Sequence, residues 1–155
     1  MALTSCSDIN KPELREGSRG ESVRELQELL RKNGQEISVD GIFGAGTKYV
    51  VGVFQCIMFL PRNGEVDNNT WCALFRKAPA DMEVLRKGDK SELVRKVQQR
   101  LYDDDRYRST IDGDFGPVTE TAVKGLQKDK GLVVDGIIGE KTWNELSNLQ
   151  YPSCL

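Results

Sequence analysis

The chain is 155 residues long, 38% apolar and 30% charged, with a formal net charge of −2. That balance suits a folded soluble protein and excludes the strong positive charge of a nucleic-acid or acidic-membrane binder. No apolar run approaches the roughly 18 residues that span a bilayer, and the absence of histidine excludes Ser-His-Asp and Cys-His catalysis and the usual His-bearing zinc sites.

Residues 1–12 show little apolar periodicity and are expected to form a flexible N-terminal arm. Met1 is followed almost at once by polar residues, so no signal peptide is visible. Leu3-Thr4-Ser5-Cys6 resembles the cleavage box of a bacterial lipoprotein, but nothing hydrophobic precedes it, which argues against lipidation. Leu14-Arg15-Glu16-Gly17-Ser18-Arg19-Gly20 is a turn-rich lead into a helix. From Glu21 to about Asn33, Val23, Leu26 and Leu30 recur at helical spacing, with Leu29 widening the stripe. Asn33-Gly34 is a helix stop. After Val39-Asp40-Gly41-Ile42-Phe43-Gly44-Ala45-Gly46-Thr47, a second helix is predicted over Thr47–Phe59, with Val50, Val51, Phe54, Ile57 and Met58 on its apolar face. Pro61 and Asn63-Gly64 mark a turn. A short third helix is predicted over Asn68–Phe75, with Asp67 as N-cap and Trp71 and Leu74 facing inward.

The order then repeats. Leu85-Arg86-Lys87-Gly88 restates Leu14-Arg15-Glu16-Gly17, and Val94, Val97, Gln98 and Leu101 restate Val23, Leu26, Gln27 and Leu30, displaced by 71 positions (23 to 94). One extra residue enters between Asp103 and Thr110. Beyond it, Asp112, Gly113, Phe115, Gly116, Thr119, Val123 and Gln127 restate Asp40, Gly41, Phe43, Gly44, Thr47, Val51 and Gln55, displaced by 72 (40 to 112). Thr142-Trp143 restates Thr70-Trp71 at the same displacement. The expected fold is all-α: two tandem three-helix units with short loops and little or no strand. The expected division is an arm (1–12), repeat 1 (13–76), a linker (77–82), repeat 2 (83–148) and a C-terminal tail (149–155). Units this small bury a modest fraction of their surface, so they are expected to pack on each other or to need disulfides. Cys6, Cys56, Cys72 and Cys154 are too scattered for a metal knuckle; an even count permits two disulfides in three pairings, with buried free thiols as the alternative.

Gly41 and Gly113 follow aspartates where a turn needs a positive backbone angle. Phe43 and Phe115 read as plugs that pin the loops. Trp71 and Trp143 divide between core anchors and an aromatic rim that touches sugar. Gly44 and Gly116 precede helix starts whose amides, helped by the helix dipole, would welcome a carboxylate; Pro117 suits the first helical position. The alternative is capping by water or by Thr47 and Thr119. Gln27, Gln55, Gln98 and Gln127 lie beside apolar positions and divide between loop support and ligand contact. Asp103-Asp104-Asp105 lacks the glycine and terminal glutamate of a calcium loop and reads as a solvated, unmatched turn. No pair of carboxylates is placed for glycoside hydrolysis.

Taken together, a Leu-basic-x-Gly opening, Val-x-x-Leu-Gln-x-x-Leu, Asp-Gly-x-Phe-Gly-x-x-Thr, and the closing Val134-Asp135-Gly136-Ile137-Ile138-Gly139-Glu140-Lys141-Thr142-Trp143 resemble the peptidoglycan-binding domain 1 family from Leu14 to Leu146. The first unit departs from the pattern: Ala45-Gly46 stands for the proline-led helix start, Asn63-Gly64 for the second Asp-Gly, Asp67 for glycine, and Phe59 where the second unit has Gly131. If only one unit binds, the departures favour the second. The resemblance implies non-catalytic binding of glycan strands and peptide stems, an extracytoplasmic location, no cofactor and no metal. It also implies peptidoglycan as partner, with a cell-wall hydrolase or other wall enzyme as a further one. The expected ligand-binding residues are Asp40, Ile42, Gly44, Thr47, Gln55, Asn63 and Trp71 in repeat 1. In repeat 2 they are Asp112, Asp114, Gly116, Thr119, Gln127, Asp135 and Trp143. The same small fold resembles metalloprotease prodomains, so a protein–protein or inhibitory module is the alternative.

Overall fold

The computed structural model describes residues 6–155; Leu3, Thr4 and Ser5 of the lipoprotein-like box lie outside the described residues. The chain divides into two units, the first ending at Asp81 and the second running Met82–Leu155. Unit 1 holds α1 (Glu21–Lys32), α2 (Ala45–Ile57) and α3 (Asn68–Arg76); unit 2 holds α4 (Glu92–Asp103), α5 (Pro117–Asp129) and α6 (Glu140–Ser147). Short 3₁₀ turns lie at Cys6–Asp8 and Pro152–Cys154. Among the described residues there is no strand, only isolated bridges. The all-α tandem expectation is met.

The helices start where local chemistry lets them. Asp67 caps α3, its Oδ1 accepting from the Thr70 amide at 2.9 Å, and Ser91 caps α4 through the Val94 amide at 3.2 Å. Pro117 opens α5 as expected. Helix α2 begins and ends two residues earlier than its periodicity predicts, because Gly44 is its N-cap and Phe59 turns left-handed at φ 62°. Each unit buries its own core: Val23, Leu26, Leu30, Phe54 and Leu74 in unit 1, and Val94, Val97, Leu101, Leu126 and Leu146 in unit 2.

The leader before each first helix is a strap laid across both loops of its unit. In unit 1, Leu14 exchanges backbone hydrogen bonds with Val66 of the second loop (3.0 and 2.8 Å). Further along, Gly17 and Ser18 bond Phe43 of the first loop, both at 2.9 Å. Unit 2 repeats this with Leu85 on Ile138 (3.2 and 2.8 Å), and with Gly88 and Asp89 on Phe115 (both 2.9 Å). The strap sets the two loops of each unit side by side.

From Cys6 onward the arm expected to be loose is tied to unit 1. Cys6 is disulfide-bonded to Cys72, Asn68 Nδ2 donates to the Cys6 carbonyl at 2.6 Å, and Trp71 Nε1 donates to the Pro12 carbonyl at 2.8 Å. No cysteine among the described residues is free. At the other end, Leu149 and Cys154 are buried. The buried Arg100 guanidinium donates to the Leu146 carbonyl at 3.0 Å and lies over the Tyr151 ring; burial pulls its pKa down to about 10. Asp103-Asp104-Asp105 is not an unmatched turn. Asp103 accepts from Ser153, Asp104 from the Gln150 amide (3.1 Å) and Arg106 (2.8 Å), and Asp105 from Arg108 (2.7 Å). The run looked unmatched because its partners lie in the tail and in a loop of later sequence.

Candidate functional site

Each unit contains the same small construction twice, so the chain contains it four times. A helix buries a glutamine beneath the loop that follows. In the first loop of unit 1, Gln27 Nε2 reaches Asp40 Oδ1 (3.0 Å), the Ile42 carbonyl (3.1 Å) and Thr47 Oγ1 (3.2 Å). Its Oε1 accepts from the amides of Asp40 (3.0 Å) and Gly41 (2.9 Å). Gln98 repeats this with Asp112, Asp114, Thr119 and Gly113 in unit 2. The second loops follow suit: Gln55 with Asn63, Glu65, Thr70 and Gly64, and Gln127 with Asp135, Ile137, Thr142 and Gly136. One side-chain amide thus pairs two successive backbone amides (at Gln55, the Gly64 amide) and a carbonyl of the turn, beside the backbone bonds the leader makes.

The turn chemistry explains the Asp-Gly and Asn-Gly pairs. The acidic or amide oxygen of Asp40, Asn63, Asp112 and Asp135 accepts from the amide two residues on, at 2.9–3.0 Å. The glycine that follows takes φ between 72° and 77°, a region that penalises side chains. Those backbone amides first, with help from the glutamines, hold the Asp40, Asp112 and Asp135 carboxyls below their ordinary range. Three residues beyond each Asp or Asn, Phe43, Val66, Phe115 and Ile138 plug the core.

The predicted site residues therefore separate into two groups. Thr47, Gln55, Trp71, Thr119, Gln127 and Trp143 are buried, with their polar atoms engaged inside the unit; the Trp143 indole donates to the Glu83 carbonyl as Trp71 does to Pro12. Asp40, Ile42, Asn63, Asp112, Asp114 and Asp135 are exposed at the loop edges, with Gly44 and Gly116 half-exposed at the starts of α2 and α5. Neither helix start has a side-chain cap, since Thr47 and Thr119 turn toward the glutamines.

Two surface hollows adjoin these edges. In unit 2, a groove of about 420 Å³ runs beneath the second loop and includes Gly131, Leu132, Val133, Asp135, Ile137 and Lys141. In unit 1, a cleft of about 450 Å³ opens between α2 and the second loop, bordered by Glu16, Lys48, Tyr49, Gly52, Arg62 and Asn63. Of the residues lining that cleft, only Asn63 is among the expected ligand-binding residues. The missed signal was dissimilarity between the repeats: Lys48, Tyr49, Gly52 and Arg62 stand where unit 2 has Glu120, Thr121, Lys124 and Val134. No group of three or more metal-type side chains is gathered among the described residues.

Residues 19–74 and 90–146 each match the family described as "Putative peptidoglycan binding domain". The chain belongs to this family. Among the relatives it resembles, the zinc D-Ala-D-Ala carboxypeptidase of Streptomyces albus G is 40% identical over 72 residues, 45% of this chain and 28% of that protein. The N-acetylmuramoyl-L-alanine amidase CwlL of Bacillus licheniformis is 31% identical over 133 residues, 83% of this chain and 36% of that one. The crystal structure of the SleB N-terminal domain is 36% identical, covering 43% of this chain and 90% of its own, with a TM-score of 0.42. The chain spans 28%, 54% and 36% of the lengths of the first three curated relatives. Both peptidoglycan-binding matches enclose the glutamine-centred loops, so those loops are the shared architecture of the two domains. No helix among the described residues is long and apolar enough to cross a membrane.

Proposed function

We propose that the chain is a non-catalytic binder that holds itself or a partner wall enzyme on peptidoglycan through two modules. The observation that carries this reading is the double family match, which takes up most of the chain. The sequence contains no histidine, which removes the commonest general base from any hydrolytic reading. The disulfide between Cys6 and Cys72 supports an oxidising, extracytoplasmic compartment. Two weak modules reaching one polymer gain avidity, by about a hundredfold.

Ligand contact, in this reading, falls on the exposed edge: Asp40, Ile42 and Asn63 in unit 1, Asp112, Asp114 and Asp135 in unit 2, and the amides after Gly44 and Gly116. The buried glutamines, threonines and tryptophans shape that edge. Incubation with purified insoluble sacculi, followed by centrifugation, tests the proposal. Depletion of the protein without release of soluble muropeptides is the expected result. Release would make it an enzyme, and neither depletion nor release would favour a protein partner. Gly116→Glu probes the helix start in unit 2: a side chain there meets nothing within 4 Å, so helicity should persist while wall binding weakens. Undiminished binding would remove the helix start from the site.

A further inference from the structure

We propose that the Asn63-Gly64 turn of unit 1 is a deamidation site, that Gln55 holds its reaction back in the folded chain, and that the loop accepts the aspartyl product. The conversion places a negative charge on the edge where ligand contact in unit 1 is proposed to fall.

The chemistry lies in the residue pair. The sequence holds two Asn-Gly pairs, at Asn33 and Asn63. A backbone nitrogen that follows asparagine can attack the side-chain Cγ, and glycine has no Cβ to shield that nitrogen. The new bond joins Gly64 N to Asn63 Cγ. The bond from Cγ to Nδ2 breaks, and Nδ2 departs as ammonia with the proton that Gly64 N gives up. Water then opens the cyclic imide. Addition at Cγ yields aspartate; addition at the backbone carbonyl yields isoaspartate, whose main chain runs through Cβ and Cγ. Water is the sole co-reactant, and nothing is oxidised or reduced.

In the folded chain the nucleophile is occupied. Asn63 is exposed, but Gly64 is buried and its N–H donates to Gln55 Oε1 at 2.9 Å. Asn63 Oδ1 accepts from Gln55 Nε2 at 3.1 Å and from the Glu65 amide at 2.9 Å, which ties the carboxamide to the far side of the turn. Lys48 packs over the same glycine, its Cγ 2.8 Å from where a Cβ would stand. Attack therefore requires the loop to open locally and Gln55 to release the nitrogen. The product, by contrast, is provided for. Asn63 engages its neighbours through Oδ1, an atom that aspartate keeps. Asp40, Asp112 and Asp135 make the same pair of bonds, to a glutamine Nε2 and to the amide two residues on. Asn33 differs: its Nδ2 donates to the Leu29 and Leu74 carbonyls at 2.8 and 3.2 Å, so an aspartate there would set oxygen against oxygen.

The test holds the whole chain at mildly alkaline pH, samples it over weeks, and maps its peptides by mass spectrometry with aspartyl and isoaspartyl forms resolved by chromatography. Conversion at Asn63 should be slow in the folded chain and about a hundredfold faster in the same chain unfolded by denaturant. Gln55→Ala should speed conversion in the folded chain about tenfold, as expected when a hydrogen bond of ordinary strength is released. If that variant does not fold, the unsubstituted chain carries the test, since its conversion should rise with denaturant below the unfolding midpoint. Asn63→Asp supplies the product directly, and at neutral pH it should retain the amide-exchange protection of α1–α3. Absence of conversion at Asn63 in the unfolded chain would overturn the site. Equal rates in the folded and unfolded chains would overturn the restraint, and loss of protection in Asn63→Asp would overturn the fit of the product.

Discussion

Units 1 and 2 carry the same pair of glutamine-centred loops, but they are secured and decorated differently. Unit 1 staples its leader to α3 through Cys6–Cys72, whereas unit 2 clamps its tail with Arg100, Asp103 and Asp104. Unit 1 carries an asparagine in its second loop, and unit 2 an aspartate. Gly52 lines a cleft in unit 1, and Lys124 stands at the corresponding position in unit 2. The shared parts are those that close a buried turn; the differing parts lie at the ends and on the outer face, where packing tolerates change.

The comparison can be broken most forcefully at the staple. The bond closes a separation of 66 residues, so replacing Cys6 and Cys72 by alanine should cost unit 1 about 4 kcal/mol. Amide hydrogen exchange should show protection lost in α1–α3 and retained in α4–α6. Equal loss in both units would mean that the staple supports more than its own unit. The next effect is in the loops themselves. Gln98→Ala strands the buried amide of Gly113, which should cost unit 2 about 3 kcal/mol in a denaturant titration. Gln27→Ala should cost unit 1 a similar amount, since its bonds have the same geometry.

Acid sharpens the difference. Asp112 and Asp135 in unit 2 both have folded pKa values below the ordinary 3.8, and in unit 1 Asp40 does. A lowered folded pKa gives stability that is present above the unfolded value and lost as pH falls through the folded one. Asn63 does not titrate, so below the ordinary carboxylate range unit 2 should lose stability more steeply than unit 1. Asn63→Asp should bring the slope of unit 1 toward that of unit 2, as read by exchange rates across an acid series. The smallest effect is at the end of the second helix of each unit. Gly131 adopts φ 70° with open space around it; Gly131→Ala should cost about 1 kcal/mol. Phe59 holds the same conformation in unit 1, its burial offsetting the strain.

Much of this architecture was legible in advance. Helical spacing placed all three helices of unit 1, the residues Asp67 and Pro117 announced two helix starts, and the two displacements revealed the duplication. These are local signals, carried by residues within a few positions of one another. The loop ends were harder. Thr47 and Thr119 look like helix caps in sequence because they sit near helix starts, yet their hydroxyls face Gln27 and Gln98. The arm before Leu14 looks loose because its stabilising partners, Asn68, Trp71 and Cys72, are some 60 residues away.

The sequence by itself determined the all-α tandem plan, the turns that need glycine and the family, because helix period, turn chemistry and repetition are written along the chain. Only the tertiary structure decided that each repeated glutamine lies buried and hydrogen-bonded beneath its loop, that the leader is a strap across two loops, and that Gly52 lines a cleft where its counterpart is Lys124. Those outcomes depend on which side chains meet after the helices pack, and on whether a neighbouring side chain occupies the space an absent one leaves.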